Sequence, residues 1–195
     1  MRFKLHTIFL TCLCVSFAGG CAVAHDGEEL KSIFDQGVSA YDQGKYEEAF
    51  AIFKSIDNED VAAMRNEGVM LRKGIGTPKD PRAAQDLLER AAEAGLPTAQ
   101  YDLAEMMLNG EAGEPDPRGA LPWLTQAAAA HHPVAEYRLG EMYEDGTLVE
   151  KDVHTARTLY SDAAAAGVPG AKERLAALGG PIPGAQPPEA PPAKP

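Results

Sequence analysis

The chain has 195 residues, 45% of them hydrophobic, and carries 29 acidic against 18 basic side chains for a formal net charge of −11. So negative a surface repels phosphate backbones and anionic lipid, which excludes nucleic acid as a partner class and leaves solubility or a basic partner as its natural uses. All three cysteines, Cys12, Cys14 and Cys21, precede residue 25, so the rest of the chain has no disulfide framework and must be held by packing.

Residues 1–24 read as a targeting segment. Arg2 and Lys4 form a basic start, and Leu5 to Ala18 is an apolar run too short to span a membrane comfortably. Two cleavage patterns overlap at its end. Ala22, Val23 and Ala24 make an A-x-A site that releases a soluble, periplasmic chain beginning at His25. Phe17 to Cys21 resembles a bacterial lipobox, with Ala18 where leucine is usual, and processing there leaves a lipid on Cys21 and an outer-membrane lipoprotein. Either product is extracytoplasmic. A free amine on His25 together with its ring is a pair of copper ligands, but one histidine beside Asp26 is too small a donor set to define a site.

Residues 25–60 read as one helical hairpin. Gln43, Gly44 and Lys45 make the turn, and Tyr46, Ala49, Phe50 and Phe53 give its second helix an apolar stripe at i, i+3, i+4 and i+7. Gly37, Ala49 and Phe53 fall at the relative spacing of the glycine, alanine and aromatic positions of tetratricopeptide repeats, which this hairpin resembles. As the N-terminal cap of an array it should turn Glu28, Glu29, Lys31 and Asp35 to solvent.

From residue 61 the chain repeats every 36 residues, without gaps, as 61–96, 97–132, 133–168 and a half row at 169–178. Ala63, Ala99, Ala135 and Ala171 stand in register. So do Gly68, Ala104, Gly140 and Ala176, then Gly74, Gly110 and Gly146, then Asp80, Asp116 and Asp152. A period of this size marks a stacked array in which no unit buries its apolar face alone. Small and apolar residues recur at three- and four-residue spacing on both sides of the central glycine, so each row is two helices. Gly110 ends the first helix of the second row, and Asp116 caps a partner that begins at Pro117, a signal repeated at Asp80 and Pro81. Small residues in the shared columns let the paired helices approach closely.

The third row carries Ala135, Leu139, Gly140, Tyr143, Gly146, Asp152, Ala156, Leu159, Tyr160, Ala163, Ala164 and Gly167 in the order of a known pattern. The rows resemble the Sel-one-like repeats, relatives of the tetratricopeptide repeats. The first row departs at Glu67 and Leu71, the second at Ala104, Met107 and His131. The resemblance implies an all-α, right-handed superhelical solenoid of stacked helical hairpins whose first helices line a concave, partner-binding face, and it implies a protein-interaction scaffold or adaptor.

Two positions in the array stand out. Pro122 falls inside the second helix of the second row, where it removes a hydrogen bond to residue 118 and predicts a late start at Gly119 or a kink. Trp123, the only tryptophan, stands in a leucine column and is expected in the core. After Gly179 and Gly180 the sequence PIPGAQPPEAPPAKP cannot form a helix or a central strand, so residues 179–195 read as a disordered tail with polyproline II tendency.

No S-x-x-K, H-E-x-x-H, G-x-S-x-G, phosphate-binding loop or calcium loop occurs, so no catalytic residue and no cofactor is assigned. Hydrolysis of β-lactams, which the resemblance brings in for some members, lacks its serine–lysine motif. His131 and His132 lie near Glu136, but histidine at a helix C-terminus is accounted for by the helix dipole, so no metal is assigned either. What remains is surface. Tyr101 and Tyr137 point away from the core side of their helices, with Arg65 in the same column; one turn further stand Val69, Glu105 and Glu141. These six make the candidate partner-binding face, whose acids suit a basic peptide. Gripping of cell-wall glycan or of a secretion component by an envelope-anchored lipoprotein is the alternative.

Overall fold

Aspartate caps set the helix starts. The computed structural model describes residues 25–181, and the leader, Cys21 and the tail from residue 182 lie outside them. Among the described residues there are nine helices and no strand: α1 (Gly27–Asp42), α2 (Tyr46–Ile56), α3 (Val61–Lys73), α4 (Pro81–Glu93), α5 (Pro97–Asn109), α6 (Pro117–Ala129), α7 (Pro133–Asp145), α8 (Val153–Ala165) and α9 (Ala171–Ala177). The side chains of Asp60, Asp80, Asp116 and Asp152 accept from the first free amides of α3, α4, α6 and α8, for example Ala63 N–H at 2.8 Å and Gly119 N–H at 2.9 Å. Gly74, Gly110 and Gly146 close α3, α5 and α7 in the left-handed conformation, at φ 70°, 63° and 73°.

Each helix packs on its neighbours in sequence, most extensively within the pairs α3–α4, α5–α6 and α7–α8. The small-residue columns are where the pairs meet. A Cβ on Gly68 would stand 3.1 Å from Leu88 Cγ, and one on Gly37 would stand 2.7 Å from Phe53 Cε1. Alanines at 84, 91, 99, 104, 120, 127, 135, 156 and 163 are wholly buried, and Leu88, Leu103, Leu124 and Tyr160 fill the space between them. The chain is an all-α solenoid of stacked helical hairpins, its core running from row to row. None of the described helices is long and apolar enough to cross a membrane.

Three expectations need correction. Of the two outcomes expected at Pro122, the late start does not occur: α6 starts at Pro117 and keeps the length of α4 and α8. The Asp116 cap and Pro117 at the first position fix the first turn, and Pro122 and Arg118 both lie on the exposed side, where a missing hydrogen bond is tolerated. His132 does not answer a helix C-terminus; it is the N-cap of α7, its Nδ1 accepting from Ala135 N–H at 3.2 Å. Trp123 is only half-buried and packs against the core on both sides of α6, while the next residue, Leu124, is the fully buried one.

The N-terminal hairpin turns at Gly44, and Glu28, Glu29, Lys31 and Asp35 are exposed. At the other end Gly179 and Gly180 adopt φ 94° and 77°. Arg157 then holds the departing chain, donating to the Gly180 carbonyl at 2.8 Å and the Pro181 carbonyl at 3.3 Å.

Candidate functional site

The first helices of the rows, α3, α5, α7 and α9, present equivalent residues 36 positions apart, so one column runs Arg65, Tyr101, Tyr137, Glu173 and the next Asn66, Asp102, Arg138, Arg174. Arginines and carboxylates of successive rows meet across this face. Arg65 Nε donates to Asp102 Oδ2 at 2.6 Å. Arg72 embraces Glu111 with Nε and Nη2, the former at 2.7 Å from Oε2. Arg138 Nε lies 3.4 Å from Glu105 Oε1, and its Nη1 donates to Glu141 Oε2 at 3.3 Å. Arg174 continues the ladder with Glu141 Oε1 at 3.4 Å and Glu144 Oε2 at 3.2 Å. Partly exposed pairs of this kind contribute about 0–1 kcal/mol each, so they serve the relative placement of the rows more than stability.

The Arg72 guanidinium, through its two hydrogen bonds, holds the Glu111 carboxyl below the usual carboxylate range. Tyr160, fully buried in α8, donates to Glu144 Oε2 at 2.7 Å, and burial first, then that carboxylate, pushes its phenol up. The ladder is thereby tied to the core.

Of the six face residues expected from the sequence, all lie on these first helices, but their surroundings differ from the expectation. Tyr101 is half-buried, its ring stacked on His132 with centroids 4.8 Å apart. Burial raises its phenol and lowers the His132 imidazole. Tyr137 is half-buried too, against Tyr160 at 5.5 Å between centroids. The two tyrosines thus form wall. Glu105 and Glu141, taken above as attraction for a basic partner, are neutralised by Arg138 and Arg174. Arg65 and Val69 border a cleft between α1 and α3, with Val38, Tyr41 and Phe53 opposite. A second cleft, between α5 and α7, has Glu105, Arg138, Glu141 and Asp145 around Leu108 and Met142.

Arg72, Arg138 and Arg174 were missed. A signal was present, because Glu105 precedes Arg138 and Glu141 precedes Arg174 by the same 33 residues. Val38 had no such signal, since it belongs to the hairpin outside the repeat register.

His131 stands at φ 57° where the other rows have Gly95 at 87° and Gly167 at 84°. Its Nδ1 lies 3.0 Å from Oε1 of Glu136, which is 3% exposed and whose carboxyl is raised chiefly by burial. Among the described residues no group of three His, Cys, Asp or Glu side chains converges on a point where a metal ion would sit.

The Sel1 repeat model matches residues 61–96, 97–132 and 133–168, more than half of the chain. Among solved structures, the Sel1 repeat protein from Oxalobacter formigenes is 32% identical with a TM-score of 0.70, the match covering 74% of this chain and 60% of that one. The SLR-fold protein c5321, a protective antigen present in uropathogenic Escherichia coli strains, is 24% identical with a TM-score of 0.69, over 76% of this chain and 33% of that one. This chain therefore spans less than two thirds of either relative. Sel1 repeat proteins serve as protein–protein interaction scaffolds, and the family is generally non-catalytic.

Proposed function

We propose that this chain, which belongs to the Sel1 repeat family, is an exported scaffold that holds a protein partner along the face made by α1, α3, α5, α7 and α9. The observation that carries this reading is the arginine–carboxylate ladder, which links each first helix to the next from Arg65 to Glu144. A surface whose rows are tied together in advance loses little freedom when a partner settles on it. Two clefts lie along that face, one between α1 and α3 and one between α5 and α7. Because Glu105 and Glu141 already have arginine partners, a basic partner gains less from them than their sequence suggests.

A photo-crosslinking residue placed at Val69 or Leu108 should trap a partner in the producing cell, while the same residue at Glu89 or Gln126, exposed on α4 and α6, should not. Equal trapping at both sets would sink the assignment of the face.

Export rests on the leader of residues 1–24, and the point of cleavage on the surroundings of His25. His25 N–H donates to Glu59 Oε2 at 2.9 Å, and its ring Nδ1 lies 3.1 Å from Glu59 Oε1. An α-ammonium created by cleavage after Ala24 would meet a carboxylate already in place, which favours the soluble periplasmic product over the lipoprotein anchored at Cys21. N-terminal sequencing of the mature protein from fractionated cells decides between them. A start at His25 supports the reading, and a blocked, lipidated Cys21 in the outer membrane defeats it.

A further inference from the structure

We propose that the cleft between α1 and α3 receives one large apolar side chain of a partner peptide that carries a carboxylate beside it, so that the partner is acidic and not basic at this point. The inference rests on the scaffold reading above and gives it a chemistry.

Arg65, Val69 and Lys73 stand at i, i+4 and i+8 and form a straight stripe along α3. Opposite them Val38 and Tyr41, at i and i+3 on α1, complete the walls, and the buried Phe53 ring of α2 forms the floor. The cleft, open on one side, has a volume of about 270 Å³. That lies below the about 300–1,000 Å³ of a typical small-molecule site and suits a single side chain. Val38 is 37% exposed, one of the few large apolar residues of the described chain left so open. An apolar guest would cover it.

The charge around the cleft runs against that of the molecule. The chain as a whole stands at −11, yet no lining residue is acidic and two are basic. Arg65 is paired with Asp102, and the neighbouring Arg72 with Glu111. Lys73, exposed at the rim, has no ion-pair partner among the described residues. Among the residues that line the cleft the surplus is therefore one positive charge, beside an apolar pocket. A carboxylate next to the inserted side chain meets it, whereas a lysine or arginine there would meet repulsion from Lys73.

Two fluorescent seven-residue peptides, each with a central phenylalanine flanked by two glutamates or by two lysines, test the inference against the isotopically labelled protein. The glutamate peptide should shift the amides of Val38, Tyr41, Val69 and Lys73 and bind about tenfold more tightly than the lysine peptide at low salt, the difference shrinking as salt is added. Lys73→Glu, a change at an exposed position, should reverse the preference, and Val69→Ser should weaken both peptides. Equal affinity of the two peptides, or no shifts with either, overturns the inference and leaves the scaffold reading to its cross-linking test. Shifts confined to the α5–α7 cleft overturn it while keeping the face. Concentration-dependent shifts at the same amides without peptide would mean that a second copy fills the cleft, and would also overturn it.

Discussion

The Tyr160 ring lies against Gly140 so closely that a Cβ at residue 140 would stand 2.9 Å from its Cε1 and 3.1 Å from its Cδ1. Tyr160 has no exposed surface and its hydroxyl is fixed on Glu144, so the ring has little room to retreat. Gly140→Ala should therefore destabilise the fold by about 1–3 kcal/mol through overpacking. The same column holds alanine at 104 in the second row, where Leu124 takes the place of the tyrosine. Urea unfolding should show a lowered midpoint with an unchanged slope, and Gly140→Ala combined with Tyr160→Leu should recover most of the loss. A single variant as stable as the parent would refute the account of this column.

The fold was legible because its instructions are local and repeated. Asp116 with Pro117, and Gly110 before them, state a helix start and stop within a few residues, and the 36-residue register multiplies each signal by the number of rows. The site was legible only in part. Periodicity separates core side from surface side, which placed Tyr101 and Glu105 on the right helix face. It does not say what a surface residue touches in the next row. Stacking on His132 and pairing with Arg138 depend on how far one row is turned and shifted on another, and that is decided by packing between hairpins. The α1–α3 cleft escaped for a related reason, since Val38 and Tyr41 belong to a hairpin with a different register from the array.

Glu67 stands in a column that holds Leu103, Leu139 and Leu175 in the other rows, and it is 4% exposed with Oε2 unpartnered. Burial, its main perturbation, raises its carboxyl above the ordinary 4.5. A raised acid binds its proton more readily in the folded state. Its favourable contribution is complete below the unfolded value and disappears as pH rises through the folded one. Glu136 and Asp162 are raised by burial as well. Glu59, Glu111 and Asp152 are lowered, and what they contribute is lost only as pH falls through their folded values. Burial lowers the His132 imidazole, whose contribution is lost as pH falls through its folded value and opposes that of the raised carboxyls. Glu67 is therefore read as a difference: Glu67→Leu should add about 1–2 kcal/mol at pH 7, and its advantage over the parent should shrink as pH falls from about 7 to 5. Chemical denaturation of both proteins across that range measures the difference, and an advantage that does not change with pH would show that Glu67 does not titrate as argued.

Arg138 bridges Glu105 of the preceding row and Glu141 of its own, with its side chain 45% exposed. At that exposure the network contributes modestly. Arg138→Ala should cost about 0.5–1 kcal/mol, and a double-mutant cycle with Glu105→Ala should give a coupling of about 0.2–1 kcal/mol that shrinks in high salt. The larger effect should be on placement. Amide exchange in α7 facing α5 should quicken in Arg138→Ala even where the global unfolding midpoint hardly moves. Unaltered exchange there would mean that side-chain packing alone sets the row-to-row geometry.

If the mature chain begins at His25, its new α-amine inherits the position from which the amide donates to Glu59 Oε2 at 2.9 Å. The carboxylate stabilises the charged amine, so the amine should titrate above the ordinary α-amino range of about 7.7–8.0. The associated stability is complete below that range and is lost as pH rises through the folded value, a window on the alkaline side of neutrality that none of the carboxylates shares. Glu59→Gln keeps the size of the side chain and removes its charge. It should return the amine to its ordinary range and remove the alkaline step in stability, without changing the acidic behaviour assigned to Glu67. Titration of the N-terminal residue by NMR reads the amine directly. An amine that titrates normally in the parent protein would show that Glu59 does not receive the new terminus, and the structural support for cleavage after Ala24 would go with it.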